Sequence, residues 1–193
     1  VKIAGLLLAA GRSSRMGRAK QLIDWRGVPL VRHIAAQALA ADLDGLTVVV
    51  GAQAADVRAA LAGLPLTIVE NPQFAAGQAT SLAAGLAVLP ADCAAALVLL
   101  VDQPLITSAL IDALLTDYRA DPADALVPQV DGVPGNPVIL SAALFAELRA
   151  LQGDEGARAV LRRPGRRVRR LSCRDEAYVR DCDTPDELAA LQP

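Results

Sequence analysis

The sequence predicts an α/β fold, a three-layer α/β/α sandwich built on a mostly parallel sheet. Three observations carry this. Short apolar runs alternate with Ala- and Leu-rich stretches of helical period along the chain. The runs are apolar throughout, as strands covered on both faces are. The 193 residues are 53% apolar and 21% charged, with no shift in composition that would mark a linker. The chain therefore reads as one domain over 1–193. A domain of that size buries about 70% of its unfolded surface and needs neither a disulfide nor a structural metal. With aromatics at 3%, its core is aliphatic.

The first strand is the apolar run from Ile3 to Ala10. One lysine, an apolar stretch and two alanines give it the outline of a short signal peptide. Gly5 interrupts it, however, and Arg12, Arg15, Arg18 and Lys20 follow at once where a cleavable polar end is needed. The other predicted strands are Leu46 to Val50, Leu66 to Val69, Ala95 to Val101, Ala125 to Val127, Val138 to Leu140 and Val168 to Leu171. The predicted helices are Leu30 to Ala41, Ala54 to Leu61, Thr80 to Leu89, Ser108 to Tyr118, Ser141 to Leu151 and Ala157 to Leu161. Pro104, Pro134, Pro137, Pro164 and Pro185 mark turns between them. No run is long enough to span a bilayer.

The counts narrow the chemistry. Nineteen basic against 21 acidic residues give a net charge of −2, which supplies no general attraction to nucleic acid or anionic lipid. The arginine-rich stretch Arg162, Arg163, Arg166, Arg167, Arg169 and Arg170 is short and has no aromatic neighbours for base stacking, so it reads as a solvated face. Cys93, Cys173 and Cys182 form neither a C-x-x-C pair nor a zinc spacing, and their odd number fits a reducing, cytoplasmic setting. The single histidine, His33, lies in a helical pattern, which leaves Ser-His-Asp, Cys-His and multi-histidine metal chemistry without a residue to use.

In open α/β sheets ligands bind beyond the carboxyl ends of the strands. After the first strand comes Leu8-Ala9-Ala10-Gly11-Arg12-Ser13-Ser14-Arg15-Met16-Gly17-Arg18-Ala19-Lys20, which fits neither a Walker loop nor a dinucleotide fingerprint. Its chemistry suits phosphate: Gly11 and Gly17 let the backbone approach an anion, Ser13 and Ser14 donate, and Arg15 and Lys20 bring flexible positive charge. The same composition would serve a solvated basic loop. Asp102 follows the apolar run that ends at Val101. A carboxylate there suits Mg²⁺ held against substrate phosphates, and it would equally suit a turn before the next helix.

These residues resemble a family. The pattern from Leu8 to Lys20, followed by Val101-Asp102-Gln103-Pro104, is similar to nucleotidyltransferases of the molybdenum cofactor cytidylyltransferase and molybdopterin-guanine dinucleotide synthase group, and the likeness extends across essentially the whole chain. It implies a Rossmann-like sheet of the nucleotide-diphospho-sugar transferase type. It implies that Leu8, Ala9, Ala10, Gly11, Ser13, Ser14, Arg15 and Lys20 bind the nucleotide with Gly77, Gln78, Thr80 and Ser81. Gly135, Asn136, Pro137 and Asp154 would face the acceptor. Asp181-Cys182-Asp183-Thr184-Pro185 resembles the family's Asp-x-Asp-Thr-Pro run, with Asp183 the second Mg²⁺ ligand beside Asp102 and Asp181 in reserve; Asp183 also reads as a helix cap.

The implied reaction is attack by an acceptor phosphate on the α-phosphorus of a nucleoside triphosphate. A phosphate is already anionic near neutral pH, so alignment and charge neutralisation suffice, with Arg15, Lys20 and Asp102 as the catalytic residues. Ala10 resembles the cytidylyl form of the motif, where its Cβ would narrow the space beside the base, so CTP is expected before GTP, with molybdopterin as acceptor and a molybdoenzyme client or chaperone downstream. A sugar-1-phosphate nucleotidyltransferase and a non-catalytic nucleotide or cofactor carrier are the alternatives.

Overall fold

The computed structural model describes residues 1–11, 19–153 and 156–191. In chain order the strands are β1 (Ile3–Ala9), β2 (Asp24–Trp25), β3 (Val28–Pro29), β4 (Leu46–Val50), β5 (Thr67–Glu70), β6 (Ala95–Leu100), β7 (Ala125–Val130), β8 (Val133–Pro134), β9 (Val138–Ser141) and β10 (Val168–Ser172). The helices are α1 (Leu30–Ala40), α2 (Ala54–Ala60), α3 (Gln78–Ala87), α4 (Ser108–Ala120), α5 (Phe145–Arg149), α6 (Ala157–Leu161) and α7 (Pro185–Ala190).

The main sheet runs β10-β7-β9-β6-β1-β4-β5, with β8 hairpinned onto β7. Its neighbours are parallel except at β9, which lies antiparallel to both β6 and β7. The central strands are buried on both faces, and their side chains divide the core. From β1, Ile3, Leu7 and Ala9 pack with Leu30, Val31 and Ile34 of α1 and Ile111 and Leu114 of α4. Leu6, Leu8 and Ala10 point the other way, to Ala79, Leu82 and Leu86 of α3, Leu148 of α5 and Val160 of α6. Sheet and two helical layers therefore follow from period-two alternation within strands that are apolar on both sides.

Several boundaries differ from the expectation. The helix expected over Ser141 to Leu151 divides into a tight turn at Ala142–Leu144 and the short α5. Two hairpins were not foreseen. Arg26-Gly27 (φ 54° and 89°) joins β2 to β3, and Asp131-Gly132 (φ 50° and 80°) joins β7 to β8; both are two-residue turns with two left-handed residues. His33 sits half-buried on α1, 3.0 Å from the Pro104 carbonyl, with its pKa lowered by burial. Among the described residues no helix is long and apolar enough to cross a membrane.

Candidate functional site

The carboxyl ends of β1 and β6 bring Lys20 and Asp102 together. Lys20 opens a single tight turn, Lys20–Leu22, and is 8% exposed. Its Nζ donates to Asp183 Oδ1 at 2.9 Å and stands 3.7 Å from Asp102 Oδ2. The expectation of a flexible loop lysine is thereby corrected: the stem packs in the protein and the ammonium sits between two carboxylates. Burial pushes the Asp102 carboxyl above its ordinary value; Lys20 opposes the rise, and the charges of Asp181 and Asp183 add to it. Asp102 Oδ1 is buried without a hydrogen-bond partner among the described residues.

The adjoining turn is held by residues that the sequence did not single out. Gln21, 1% exposed, donates through Nε2 to the carbonyls of Ala9 (2.9 Å) and Gly11 (2.8 Å), fixing the chain as it leaves β1. Gln103, also buried, donates to Asp181 Oδ1 at 2.8 Å and to the Tyr178 carbonyl at 3.3 Å. The Cys182 N–H donates to the Asp102 carbonyl at 2.8 Å, tying the C-terminal segment to the end of β6. The Cys182 thiol is pushed up to about 11 by burial, which keeps it protonated. Gln103 lies within the Val101–Pro104 run, but only the folded chain shows what either glutamine holds.

The alternative readings of Asp183 separate. The N-cap of α7 is Thr184, whose Oγ1 accepts from the Glu187 N–H at 3.2 Å, while Glu187 reaches back to the N–H groups of Asp183 and Thr184. Asp183 does not cap; its carboxylate goes to Lys20. Asp181 turns to Gln103 instead.

In the segment after β5, Gly77 has φ 116°, a conformation that glycine tolerates, and it leads into α3. The hydroxyls of Thr80 and Ser81 accept from Asn71 Nδ2 at 2.8 and 3.0 Å, and Thr80 Oγ1 lies within donating distance of the Gly77 and Gln73 carbonyls. Both hydroxyls thus help to hold the turn, and Gln78 is left lining the cleft beside it. Ala10 is 3% exposed, with its Cβ 2.9 Å from where a side chain on Gly51 would begin. A Cβ on Gly11 would meet nothing within 4 Å among the described residues. Ser13, Ser14, Arg15 and Asp154 lie outside the described residues.

A cleft of about 530 Å³ opens over the α3 and α6 side of the sheet. Leu8 and Gln78 border it, as do Gly135, Asn136 and Asp181, so residues expected on the nucleotide and the acceptor sides share one space. Gly135 is pressed against the segment that follows Tyr178: a Cβ there would lie 2.1 Å from the Tyr178 carbonyl oxygen, which already accepts from the Asn136 N–H at 2.8 Å. Among the described residues no group of three or more His, Cys, Asp and Glu gathers as a metal cage. Asp102 and Asp183 are the carboxylates that flank Lys20; Mg²⁺ ordinarily asks for one or two carboxylates, completing its shell with phosphate and water.

Comparison with known proteins shows the family. Residues 5–170 match the MobA-like NTP transferase domain. The chain is 33% identical, over 98% of its length and 96% of the relative's, to nicotine blue oxidoreductase of Paenarthrobacter nicotinovorans. It is 35% identical to a probable molybdenum cofactor guanylyltransferase of Natronomonas pharaonis, over 65% of this chain and 60% of that one. The crystal structure of Rv0371c from Mycobacterium tuberculosis H37Rv superposes with a TM-score of 0.87 at 30% identity, covering 99% of this chain and 97% of that one, and the same protein has been solved in complex with manganese. With the family match spanning most of the chain and its relatives covering nearly all of it, the protein belongs to the MobA-like NTP transferase family of nucleotidyltransferases.

Proposed function

We propose that the protein transfers a nucleoside monophosphate, CMP before GMP, from the triphosphate to the phosphate of a molybdopterin-type acceptor and releases pyrophosphate. The observation that carries this reading is the buried Lys20 ammonium beside Asp102, whose Oδ1 has no partner among the described residues, next to a cleft of about 530 Å³ bordered by Leu8, Leu100 and Asp181. An acceptor phosphate oxygen forms the bond to the α-phosphorus as the bond to the β-phosphate oxygen breaks, and that electron pair leaves with pyrophosphate. No proton has to be removed from the nucleophile, consistent with a site that uses no histidine. Lys20 supplies a fixed positive charge against the α-phosphoryl group, and Arg15 would meet the triphosphate.

Asp102 and Asp183 would hold Mg²⁺, with Asp181 as the alternative second ligand; the buried, unpartnered Asp102 oxygen fits a cation ligand. When bound, the cation neutralises charge on the triphosphate and on the departing pyrophosphate. In this reading Gly77, Gln78, Thr80 and Ser81 would border the base, and Gly135, Asn136, Pro137 and Asp154 would serve the acceptor. The preference for CTP rests on Ala10, and a GTP-using guanylyltransferase or a sugar-1-phosphate nucleotidyltransferase would use the same frame. The three unpaired cysteines suit a reducing cytoplasm, where a molybdoenzyme or its chaperone would take the product.

The name of the Paenarthrobacter relative supports a second reading, an oxidoreductase. One experiment separates the readings. Pyrophosphate release is followed with CTP and GTP, with and without molybdenum cofactor and with sugar 1-phosphates as rival acceptors, alongside reduction of a dye by NADH or NADPH. Release that needs both CTP and the cofactor supports the proposal. Dye reduction without release favours the oxidoreductase, and nucleotide binding without release favours a carrier.

A further inference from the structure

The arginine-rich stretch does not behave as one solvated face. Arg163 and Arg166 both pair with Glu147; Arg167 pairs with Asp121, and Arg169 with Asp117 and Asp121. The guanidinium groups of Arg162 and Arg170 make no hydrogen bond or ion pair among the described residues, and neither does that of Arg158, one helical turn before Arg162. These three are the arginines that line the cleft. The period-two alternation of β10 accounts for the division there, because Arg169 and Arg170 emerge on opposite faces of the sheet.

The position of the trio is informative. Arg170 pairs in register with Val127 of β7, and Val98 of β6 with Val138 of β9, so the cleft floor crosses four strands in the order β6, β9, β7, β10. Leu100 and Asp181 border it at the β6 end, next to Asp102, and Arg170 borders it at the β10 end, while Arg158 and Arg162 reach it from α6 and its C-terminal end. Three strand-to-strand steps of about 4.8 Å put roughly 14 Å between those backbones. The floor between is aliphatic, formed by Val98, Val127 and Val138. A ligand filling this space has an apolar part over that floor and negative charge facing the arginines.

We propose that Arg158, Arg162 and Arg170 bind an anionic group of the acceptor other than the phosphate that reacts. This rests on the reading of the cleft as the acceptor site. It adds that the acceptor carries a second anionic group, which would reject simple sugar phosphates that present nothing further to the arginines.

The test uses pterin-6-carboxylate, a fluorescent flat heterocycle with one carboxylate and no phosphate, against its uncharged counterpart 6-methylpterin. The full-length protein should bind the carboxylate, and the triple variant R158Q/R162Q/R170Q should bind it at least about tenfold more weakly, as expected when charge-assisted contacts are removed. Affinity for 6-methylpterin should be unchanged, melting temperature should be unchanged, and R163Q, which loses an ion pair away from the cleft, should bind like the parent. Equal affinity of parent and triple variant for the carboxylate, no binding by the parent at millimolar probe, or an equal loss in R163Q overturns the inference. Pyrophosphate release is measured separately on the parent protein. Its absence counts against nucleotidyl transfer and leaves the binding result to stand or fall alone.

Discussion

Replacing Lys20 by Met removes the ammonium and keeps most of the buried stem, so the change is mainly one of charge. On the Asp183 side the loss is small, because that carboxylate is 51% exposed and water solvates it in place of the lysine. On the Asp102 side it is larger, because the side chain is 27% exposed with one oxygen buried, and Asp181 and Asp183 already repel it. Breaking a fully buried pair costs about 3–5 kcal/mol; this partly solvated one should cost about 1–3 kcal/mol. At 2–4 °C per kcal/mol for a chain of this size, melting should fall by roughly 2–12 °C.

The deficit should depend on pH, and its sign follows from linkage. Asp102 has a native pKa raised above its unfolded value, so the native state holds the proton longer and stability falls as pH rises through that window. Lys20 is the group that opposes the rise, so its removal widens the window upward. Calorimetry of chelator-treated protein at pH 5 and pH 8 should show the variant closer to the parent at pH 5. On the same preparation kcat should fall by roughly 10²–10³ while the nucleotide dissociation constant changes much less. An equal deficit at both pH values, or none, would refute the electrostatic account; equal losses in kcat and nucleotide affinity would make Lys20 a ground-state anchor.

Asp102→Asn should melt slightly higher than the parent, since it removes a raised carboxyl, and should lose most pyrophosphate release together with any rise in melting temperature on adding Mg²⁺ or Mn²⁺; an intact metal-dependent rise would remove Asp102 from the cation site. Gly135→Ala forces the Tyr178 carbonyl aside and loosens the Asn136 and Gln103 hydrogen bonds, costing about 2–4 kcal/mol in urea unfolding, and a variant as stable as the parent would show that this close approach yields easily. Thr184→Ala should cost about 1 kcal/mol through the lost cap with little effect on kcat, checked by denaturation and turnover together. Ala10→Gly should move the CTP to GTP ratio of kcat/KM toward GTP by no more than about tenfold, because one methyl carries about 1–3 kcal/mol, and an unchanged ratio would place base selection elsewhere.

What the sequence made legible was whatever repeats locally. Buried strands announce themselves as apolar runs between Gly, Pro and Asp, and a residue just past such a run, like Asp102, is placed at the carboxyl edge with no further knowledge. The two hairpins carried a readable signal in Arg26-Gly27 and Asp131-Gly132, but strands of two residues are too short for periodicity to register. The burial of Lys20 was hidden for a different reason. It depends on Asp183, 163 residues away, so local polarity suggests a solvated loop. The division of the arginines depends on Glu147, Asp117 and Asp121, whose reach to each guanidinium is set by α4, α5 and β10 packing together. Gln21 and Gln103 are the extreme case, since a buried glutamine is recognisable only by the carbonyls it satisfies.

The 163-residue separation between Lys20 and Asp183 also has a consequence in time. At about 5–20 residues per second a ribosome takes roughly 8–30 s to pass from one to the other. The central strands and their covering helices can condense during that interval, while the lysine meets the sheet with half of its charge neutralisation still unmade. A nascent chain stalled or cleaved before residue 183 would therefore carry a largely formed sheet and an incomplete centre. Completion of the Lys20 centre therefore waits on residue 183, however early the sheet condenses.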